Sequence, residues 1–166
     1  MNHEKIPQHL KDTAEWCCWK YEQKPGKAKP DKIPKNPRTG GNASVSIPNT
    51  FSDFDTAVKA AVNFDGIGTR ASRNLTLIDL DHCVDNGIIA HWAQEVIDHF
   101  SDAYVEISPS GTGIHIICKI SDDFVFDKKA FYIKKGNYEL YIAGYTNRFL
   151  TVTGDCIQDG NLAVQD

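Results

Sequence analysis

Two aspartates, Asp79 and Asp81, interrupt the stretch LTLIDLDHC at residues 75–83, which otherwise has the composition of a buried strand. Aspartate is depleted in strands, and an ionised carboxylate removed from water is unfavourable unless its charge is compensated. Because side chains alternate along a strand, both carboxylates should project from one face, with Ile78 and Leu80 on the other. Carboxylate oxygens are the ligands that Mg²⁺ and Mn²⁺ prefer, so the pair predicts a divalent metal site.

The same alternation places one polar residue in each of three later strands, where the apolar pattern could have continued. These residues are His115 in GIHIIC, Glu139 in YELYI and Arg148 in NRFLTV. If the strands share a sheet, one side of it carries all three together with the two aspartates. Three carboxylates around two divalent ions are a typical arrangement for displacement at phosphorus. From the residues alone, the alternatives are solvated acids, a hydrogen-bonded rim histidine and a surface arginine.

The segment SPSGTGIH, residues 108–115, is rich in small residues. Backbone N–H groups near Gly111 and the hydroxyls of Ser108, Ser110 and Thr112 could approach an anion closely. The segment does not match the P-loop pattern and no predicted helix follows it, so it is not that kind of phosphate site. The alternative is a glycine-rich hairpin that binds no ligand.

Charge is unevenly distributed along the chain, whose formal net charge is −4. Residues 20–38 contain seven Lys or Arg and two acidic residues, a net of +5, whereas the remainder has a net of −9. A basic segment on an acidic protein can engage phosphates locally. A solvated basic loop is the alternative.

The chain has 166 residues, of which 41% are hydrophobic and 24% charged, as is typical of one soluble globular domain. No apolar run approaches the roughly 20 residues of a membrane span, and the charged start is unlike a secretory signal. We therefore expect a cytoplasmic protein with no membrane partner. The five cysteines form no C-x-x-C pair, which argues against a structural zinc site and against a disulfide framework.

Hydrophobic periodicity predicts two helices, over 49–64 and over 86–100, the second with Asn86 as a possible cap. Strands are predicted over 14–21, 65–70, 74–81, 103–108, 113–120, 138–144 and 147–154. Residues 22–50 are read as a connection too rich in Pro, Gly and Lys for regular structure, with a turn at NPRTGG. The resulting order, βαββαββββ, predicts an α+β fold with a mainly antiparallel sheet.

Three segments together resemble motifs I, II and III of the archaeo-eukaryotic primase superfamily: LIDLDHC, EISPSGTGIHIICK and YELYIAG…RFLTVTG. The resemblance is nearest to the primase-polymerases of phages, plasmids and other mobile elements, which KIPKNPRTG and DGIG also resemble. It covers about residues 14–154. It implies an RNA-recognition-motif-like sheet with helices, joined to an N-terminal α/β unit. We therefore expect a single catalytic domain over 1–166, with an N-terminal unit at about 1–70, a core at about 71–155 and a short tail.

The resemblance also implies roles for individual residues. Asp79, Asp81 and Glu139 correspond to the catalytic acids that hold two Mg²⁺ or Mn²⁺ ions. The incoming triphosphate is expected at Ser110 and His115, with Ser108 and Gly111 beside them, and at Arg148. The basic segment is expected to contact template or primer phosphates through Lys32, Lys35, Asn36 and Arg38. In this sequence the turn AGYTNR before Arg148 is longer than in the family pattern.

The function implied is template-dependent joining of nucleotides, as a DNA primase and DNA polymerase in the replication of a phage or mobile element. The expected partners are a DNA template and primer, nucleoside triphosphates, and a helicase or helical primase module on the same or another chain. Two alternatives stay open at this point: a catalytically silent nucleic-acid-binding accessory module, and a metal-dependent nuclease that uses the same acids.

Overall fold

The computed structural model describes residues 2–127, 129, 133–162 and 164–165. Its helices are α1 (Gln8–Thr13), α2 (Phe54–Ala60) and α3 (His91–His99), with 3₁₀ turns at His3–Lys5, Pro48–Thr50 and Ala61–Asn63. The strands are β1 (Trp16–Glu22), β2 (Asp31–Lys35), β3 (Gly66–Arg70), β4 (Leu75–Leu80), β5 (Val84–Asp85), β6 (Ile88–Ile89), β7 (Tyr104–Ile107), β8 (Ile114–Ile120), β9 (Lys134–Lys135), β10 (Tyr138–Ile142), β11 (Phe149–Val152), β12 (Cys156–Asp159) and β13 (Val164–Gln165).

These strands form two main sheets and a small hairpin. The first sheet has the order β11-β3-β1-β2, and the second has the order β12-β7-β8-β4-β10-β9, with β13 beside β8. Among the described strands every pairing is antiparallel except that of β13 with β8. The fold is therefore α+β with antiparallel sheets, which agrees with the class predicted from the sequence.

The second sheet is covered by apolar residues on both faces. One face packs on α3, and its cluster contains Ile78, Leu80 and Ile116. On the other face, Leu77 and Tyr141 belong to a cluster that extends into the first sheet and the N-terminal helices. Because β4 is buried on both faces, its sequence is a nearly continuous apolar run rather than a simple alternation.

Three predicted elements differ in the structure. The helix predicted over 49–64 is α-helical only in α2, which 3₁₀ turns precede and follow. Residues 31–35, read as irregular, pair with β1 as strand β2, with Tyr21 opposite Lys32. The helix predicted from Asn86 begins at His91, because residues 84–89 form the β5–β6 hairpin. Asn86 and Gly87 have positive φ angles of 49° and 78°, as the two central residues of a tight Asn-Gly hairpin turn require.

The strands on either side of the AGYTNR turn belong to different sheets, although the sequence predicted one sheet for both. Strand β10 pairs with β4 in the second sheet, whereas β11 pairs with β3 in the first. Arg148 therefore lies just before a strand of the first sheet, and its expected place beside the acids on a common sheet face is wrong. The first sheet also combines residues from both ends of the chain.

None of the described helices has the length and apolar character needed to cross a membrane. All five cysteines are free thiols in the structure. Four of them are buried, and Cys156 is partly exposed.

Candidate active site

Four polar residues lie side by side across the centre of the second sheet. Glu106 is paired with His115, His115 with Asp79, and Asp79 with Glu139, so that β7, β8, β4 and β10 each contribute one residue. Residues directly opposite one another in antiparallel strands project from the same face. We call these four residues the polar row. The sheet register thus brings together Asp79, Glu139 and His115, three of the residues singled out in the sequence.

The two aspartates lie at the end of β4. The Asp79 side chain is 22% exposed, and Asp81, just past the strand, is exposed. Burial raises the pKa of Asp79 above its usual value; the charge of His115 opposes this rise. Within the described residues neither carboxylate accepts a hydrogen bond, and the nearest cation-forming atom is His115 Nε2, 3.8 Å from Asp79 Oδ1. Two neighbouring carboxylates without donors suit a divalent cation.

Glu139 is held by its own neighbours. Its Oε1 forms an ion pair with Lys134 of β9, and the Tyr141 hydroxyl donates to Oε2 at 2.9 Å. In the described ranges, no three His, Cys, Asp or Glu side chains are arranged closely enough to enclose a metal ion. The acids are therefore gathered on one face, but Glu139 would have to exchange Lys134 for an ion in order to share one with Asp79.

His115 is only 2% exposed, and its partner on the inner side is Glu106, with Nδ1 and Oε1 3.1 Å apart. Glu106 is fully buried and was not among the predicted site residues. A signal for it exists in the sequence: alternation in YVEIS places Glu106 on the face of Tyr104 and away from Val105 and Ile107. An isolated strand glutamate is ordinarily solvent-exposed, which is why the sequence alone did not single it out.

The turn between β7 and β8 carries a chain of hydroxyl groups. Ser110 Oγ lies 3.0 Å from Ser108 Oγ and 2.9 Å from Thr112 Oγ1. Gly111 has a φ of 73°, and a Cβ on Gly113 would come within 2.8 Å of the Leu80 carbonyl oxygen. The Thr112 carbonyl accepts from the N–H groups of Cys83 and Val84. The turn therefore lies beside the end of β4, next to the aspartates.

Lys32 of the first sheet lies within electrostatic range of Asp79 and Asp81. Burial lowers the pKa of its ammonium group, while the charges of Asp79 and Asp81 act in the opposite direction. Its Nζ lies 5.7 Å from the centroid of the Trp19 ring. The charge of Lys32 therefore acts on the two aspartates, although within the described residues no ion pair joins them.

The other basic-segment residues make local contacts. Lys35 Nζ pairs with Glu22 at 2.5 Å and with Asn42 at 2.6 Å. Asn36 Oδ1 accepts from the Arg38 backbone N–H, and the Arg38 guanidinium donates to the Phe51 carbonyl at 2.7 Å. None of these contacts involves a residue of the polar row.

Arg148 is exposed but electrostatically close to Tyr141, which neighbours Glu139 in β10. Burial raises the pKa of the Tyr141 hydroxyl to about 12; Asp79 adds to the rise and Arg148 opposes it. The charge of Arg148 therefore acts on Tyr141 beside Glu139, although Arg148 lies outside the second sheet.

Two of the cavities lined by the described residues border the fold. One of about 600 Å³ is lined by residues of β1, of the β7–β8 turn and of the segment after β11, among them Trp19, Tyr21, Ser108, Gly111 and Thr153. The larger, about 870 Å³, lies against α1 and α2 and includes Arg38 but no member of the polar row. The smaller cavity is the one that adjoins the predicted triphosphate turn.

Comparison with known proteins gives one informative similarity. No family model matches the chain. The chain is 30% identical over 152 residues to a protein of Nitratiruptor phage NrS-1 named DNA Primase-polymerase. The aligned region covers 88% of this chain but 20% of that protein, so the chain spans about one fifth of the relative's length. This similarity supports a relationship to primase-polymerases.

Proposed function

We propose that this chain is the catalytic domain of a DNA primase-polymerase of the archaeo-eukaryotic primase type. It joins nucleotides on a DNA template in the replication of a phage or mobile element. Two findings support the proposal: the similarity to the phage protein over most of the chain, and the polar row. The RNA-recognition-motif-like character of the second sheet and a helicase or helical primase module as partner belong to the same proposal.

One observation carries it: Asp79 is directly opposite both Glu139 and His115 in neighbouring strands. Acids and a histidine from three strands thus share one patch on an otherwise apolar sheet. A structural role does not call for this placement, since a buried, hydrogen-bond-deficient carboxylate such as Asp79 is unfavourable for folding.

Asp79, Asp81 and Glu139 would hold the Mg²⁺ or Mn²⁺ ions. The donor set fits, because all three are carboxylates and two of them accept no hydrogen bond within the described residues. Such ions, when bound, lower the pKa of the attacking hydroxyl and offset the charge that develops on the α-phosphate and the leaving pyrophosphate. Lys134, which pairs with Glu139, would have to leave that carboxylate before an ion could bind there.

The remaining residues bind and orient the nucleotide. His115, with Nε2 directed toward Asp79, and the hydroxyls of Ser108 and Ser110 at the neighbouring turn are suited to the triphosphate. Lys32 and Arg148 add positive charge from the first-sheet side. These donors in a partly desolvated cleft would hold phosphate oxygens in place and exclude water.

Primer extension tests the proposal. The wild-type chain, a primed DNA template, labelled nucleotides and Mn²⁺ or Mg²⁺ should give lengthened strands, and Asp79→Ala combined with Asp81→Ala should abolish them. Asp102→Asn serves as the matched control, because Asp102 is an exposed acid in the turn before β7. Incorporation by the double variant at the wild-type rate would contradict the assignment. Shortened strands would indicate a nuclease, and binding of DNA without incorporation would indicate an accessory module.

A further inference from the structure

Glu106 is a fully buried carboxylate at the end of the polar row. Within the described ranges no Lys or Arg side chain pairs with it; the ring nitrogen that it contacts is Nδ1 of His115. An ionised carboxylate without water is tolerated only where hydrogen bonds replace its hydration. The donors around Glu106 therefore explain why it can be buried and what it holds.

Each oxygen of Glu106 has its own set of donors. Oε1 lies 3.1 Å from His115 Nδ1 and 3.0 Å from the Thr153 backbone nitrogen. Oε2 lies 2.8 Å from the Tyr104 hydroxyl, 3.0 Å from the Thr153 nitrogen and 2.9 Å from the Gly154 nitrogen. Backbone N–H groups can only donate, so both oxygens act as acceptors. A hydrogen bond from Nδ1 of His115 to the ionised Glu106 carboxylate requires the ring proton on Nδ1, and Nε2 is the nitrogen that faces Asp79.

The same carboxylate joins the two sheets. Glu106 belongs to β7 of the second sheet, whereas Thr153 and Gly154 directly follow β11 of the first. Gly154 has a φ of 73°, and a Cβ there would come within 2.0 Å of the Asn2 carbonyl oxygen. The turn that receives Glu106 is therefore tightly enclosed and has little freedom to shift.

We propose that Glu106 is a positioning residue: it fixes the His115 ring with Nε2 toward the acids, and it holds the segment after β11 against the sheet that carries them. The inference rests on the proposed function, in which His115 binds the nucleotide. It assigns to Glu106 no contact with nucleotide, metal or DNA. Its effect on nucleotide affinity passes through His115, whereas its hydrogen bonds to the Thr153–Gly154 turn contribute to stability.

Glu106→Gln tests the ring orientation without removing volume. Glutamine has one acceptor oxygen. We expect this oxygen to occupy the position of Oε2, where it can accept from the backbone N–H groups of Thr153 and Gly154. The amide NH₂ then faces His115 Nδ1, which must accept, so the ring proton moves to Nε2. Long-range ¹H–¹⁵N correlation spectra of the labelled full chain report this change, with the His115 signals identified by their loss in His115→Gln. A wild-type ring without a proton on Nδ1 would overturn the proposal.

A double-mutant cycle tests whether the orientation serves nucleotide binding. With dATP and Mn²⁺ as the probe, Glu106→Gln should weaken affinity roughly tenfold in the wild-type background, as loss of a partner that orients a binding histidine does. In a His115→Ala background it should have almost no further effect. A purely structural role would weaken affinity equally in both backgrounds, and that result would overturn the proposal.

Tyr104→Phe is the control for stability. It removes one hydrogen bond to the same carboxylate but leaves the His115 contact in place. It should lower Tm while nucleotide affinity stays within twofold of wild type; an affinity loss equal to that of Glu106→Gln would count against positioning through the ring. If His115→Ala itself leaves dATP affinity unchanged, the proposed nucleotide role of His115 fails, whereas the spectra still decide the ring orientation.

Discussion

Asp79 and Glu139 lie directly opposite each other in the antiparallel pair of β4 and β10. Like charges in this relationship are unfavourable, since the Cβ atoms of opposed residues are about 4.5–5.5 Å apart. Lys134 compensates Glu139, whereas Asp79 accepts no hydrogen bond within the described residues. The arrangement therefore reduces stability unless a cation lies between the two acids, which ties the site's chemistry to the protein's folding energy.

Asp79→Asn should consequently stabilise the protein when divalent ions are absent. Burial raises the pKa of Asp79, so above that pKa the ionised group is less favourable in the folded protein than in the unfolded chain. This penalty is absent below the unfolded-state pKa, grows as the pH rises from the unfolded-state to the folded-state pKa, and is complete above the folded-state pKa. In EDTA at neutral pH, the Tm of the variant should exceed that of wild type by about 2–4 °C for each kcal/mol gained in the free energy of unfolding.

Addition of Mn²⁺ should make the wild-type protein more stable than the Asp79→Asn variant. The wild-type Tm should rise with Mn²⁺ concentration because the folded state binds the ion, and the Asp79→Asn variant should respond much less. Thermal unfolding of both proteins, with Asp102→Asn as the control, measures this. A variant that is less stable than wild type in EDTA would mean that the Asp79 carboxylate makes stabilising contacts, contrary to the structure.

The parts of this site that could be predicted are those encoded by local alternation. The period of two in LTLIDLD, GIHIIC and YELYI indicates which face Asp79, His115 and Glu139 share, and hydrophobic runs indicate the strands themselves. Sheet register is not local, so the direct opposition of Asp79 to both partners became visible only when β8 and β10 were seen on either side of β4.

The features that were missed depend on distant pairing. Strand β2 contains Pro34 and lies at the edge of the first sheet, where proline is tolerated, so its composition resembled a loop. The Asn86-Gly87 dipeptide is a hairpin signal in the sequence, and it indicates the β5–β6 turn rather than the start of a helix. For Glu106 the sequence offers only the alternation in YVEIS, which does not indicate burial, because the donors that permit burial include residues as far away as Gly154.

Thiol reactivity should report the burial of four of the five cysteines. Burial raises the pKa of Cys18 and Cys83 to about 11 and that of Cys118 to about 12, and it raises that of Cys17 as well. At pH 8 these thiols carry almost no thiolate, the form that alkylates. Iodoacetamide should therefore modify partly exposed Cys156 first, and the other four only after unfolding in urea. Mass spectrometry of timed samples measures the order; early modification of Cys17 or Cys18 would contradict the burial of β1.

Lys32→Ala should distinguish two roles for Lys32: contact with the nucleotide phosphates and contact with the DNA backbone. If Lys32 contacts the nucleotide phosphates, as its electrostatic interaction with Asp79 and Asp81 favours, KM for the nucleotide should rise roughly tenfold, about 1.4 kcal/mol of binding. DNA affinity and its dependence on salt should stay unchanged. Lys29→Ala is the matched control, since Lys29 is an exposed lysine of the same basic segment. Titration of DNA at several salt concentrations checks this. If the variant reduced the slope of log affinity against log salt by about one, Lys32 would instead be a contact to the DNA backbone, the role that the sequence first predicted.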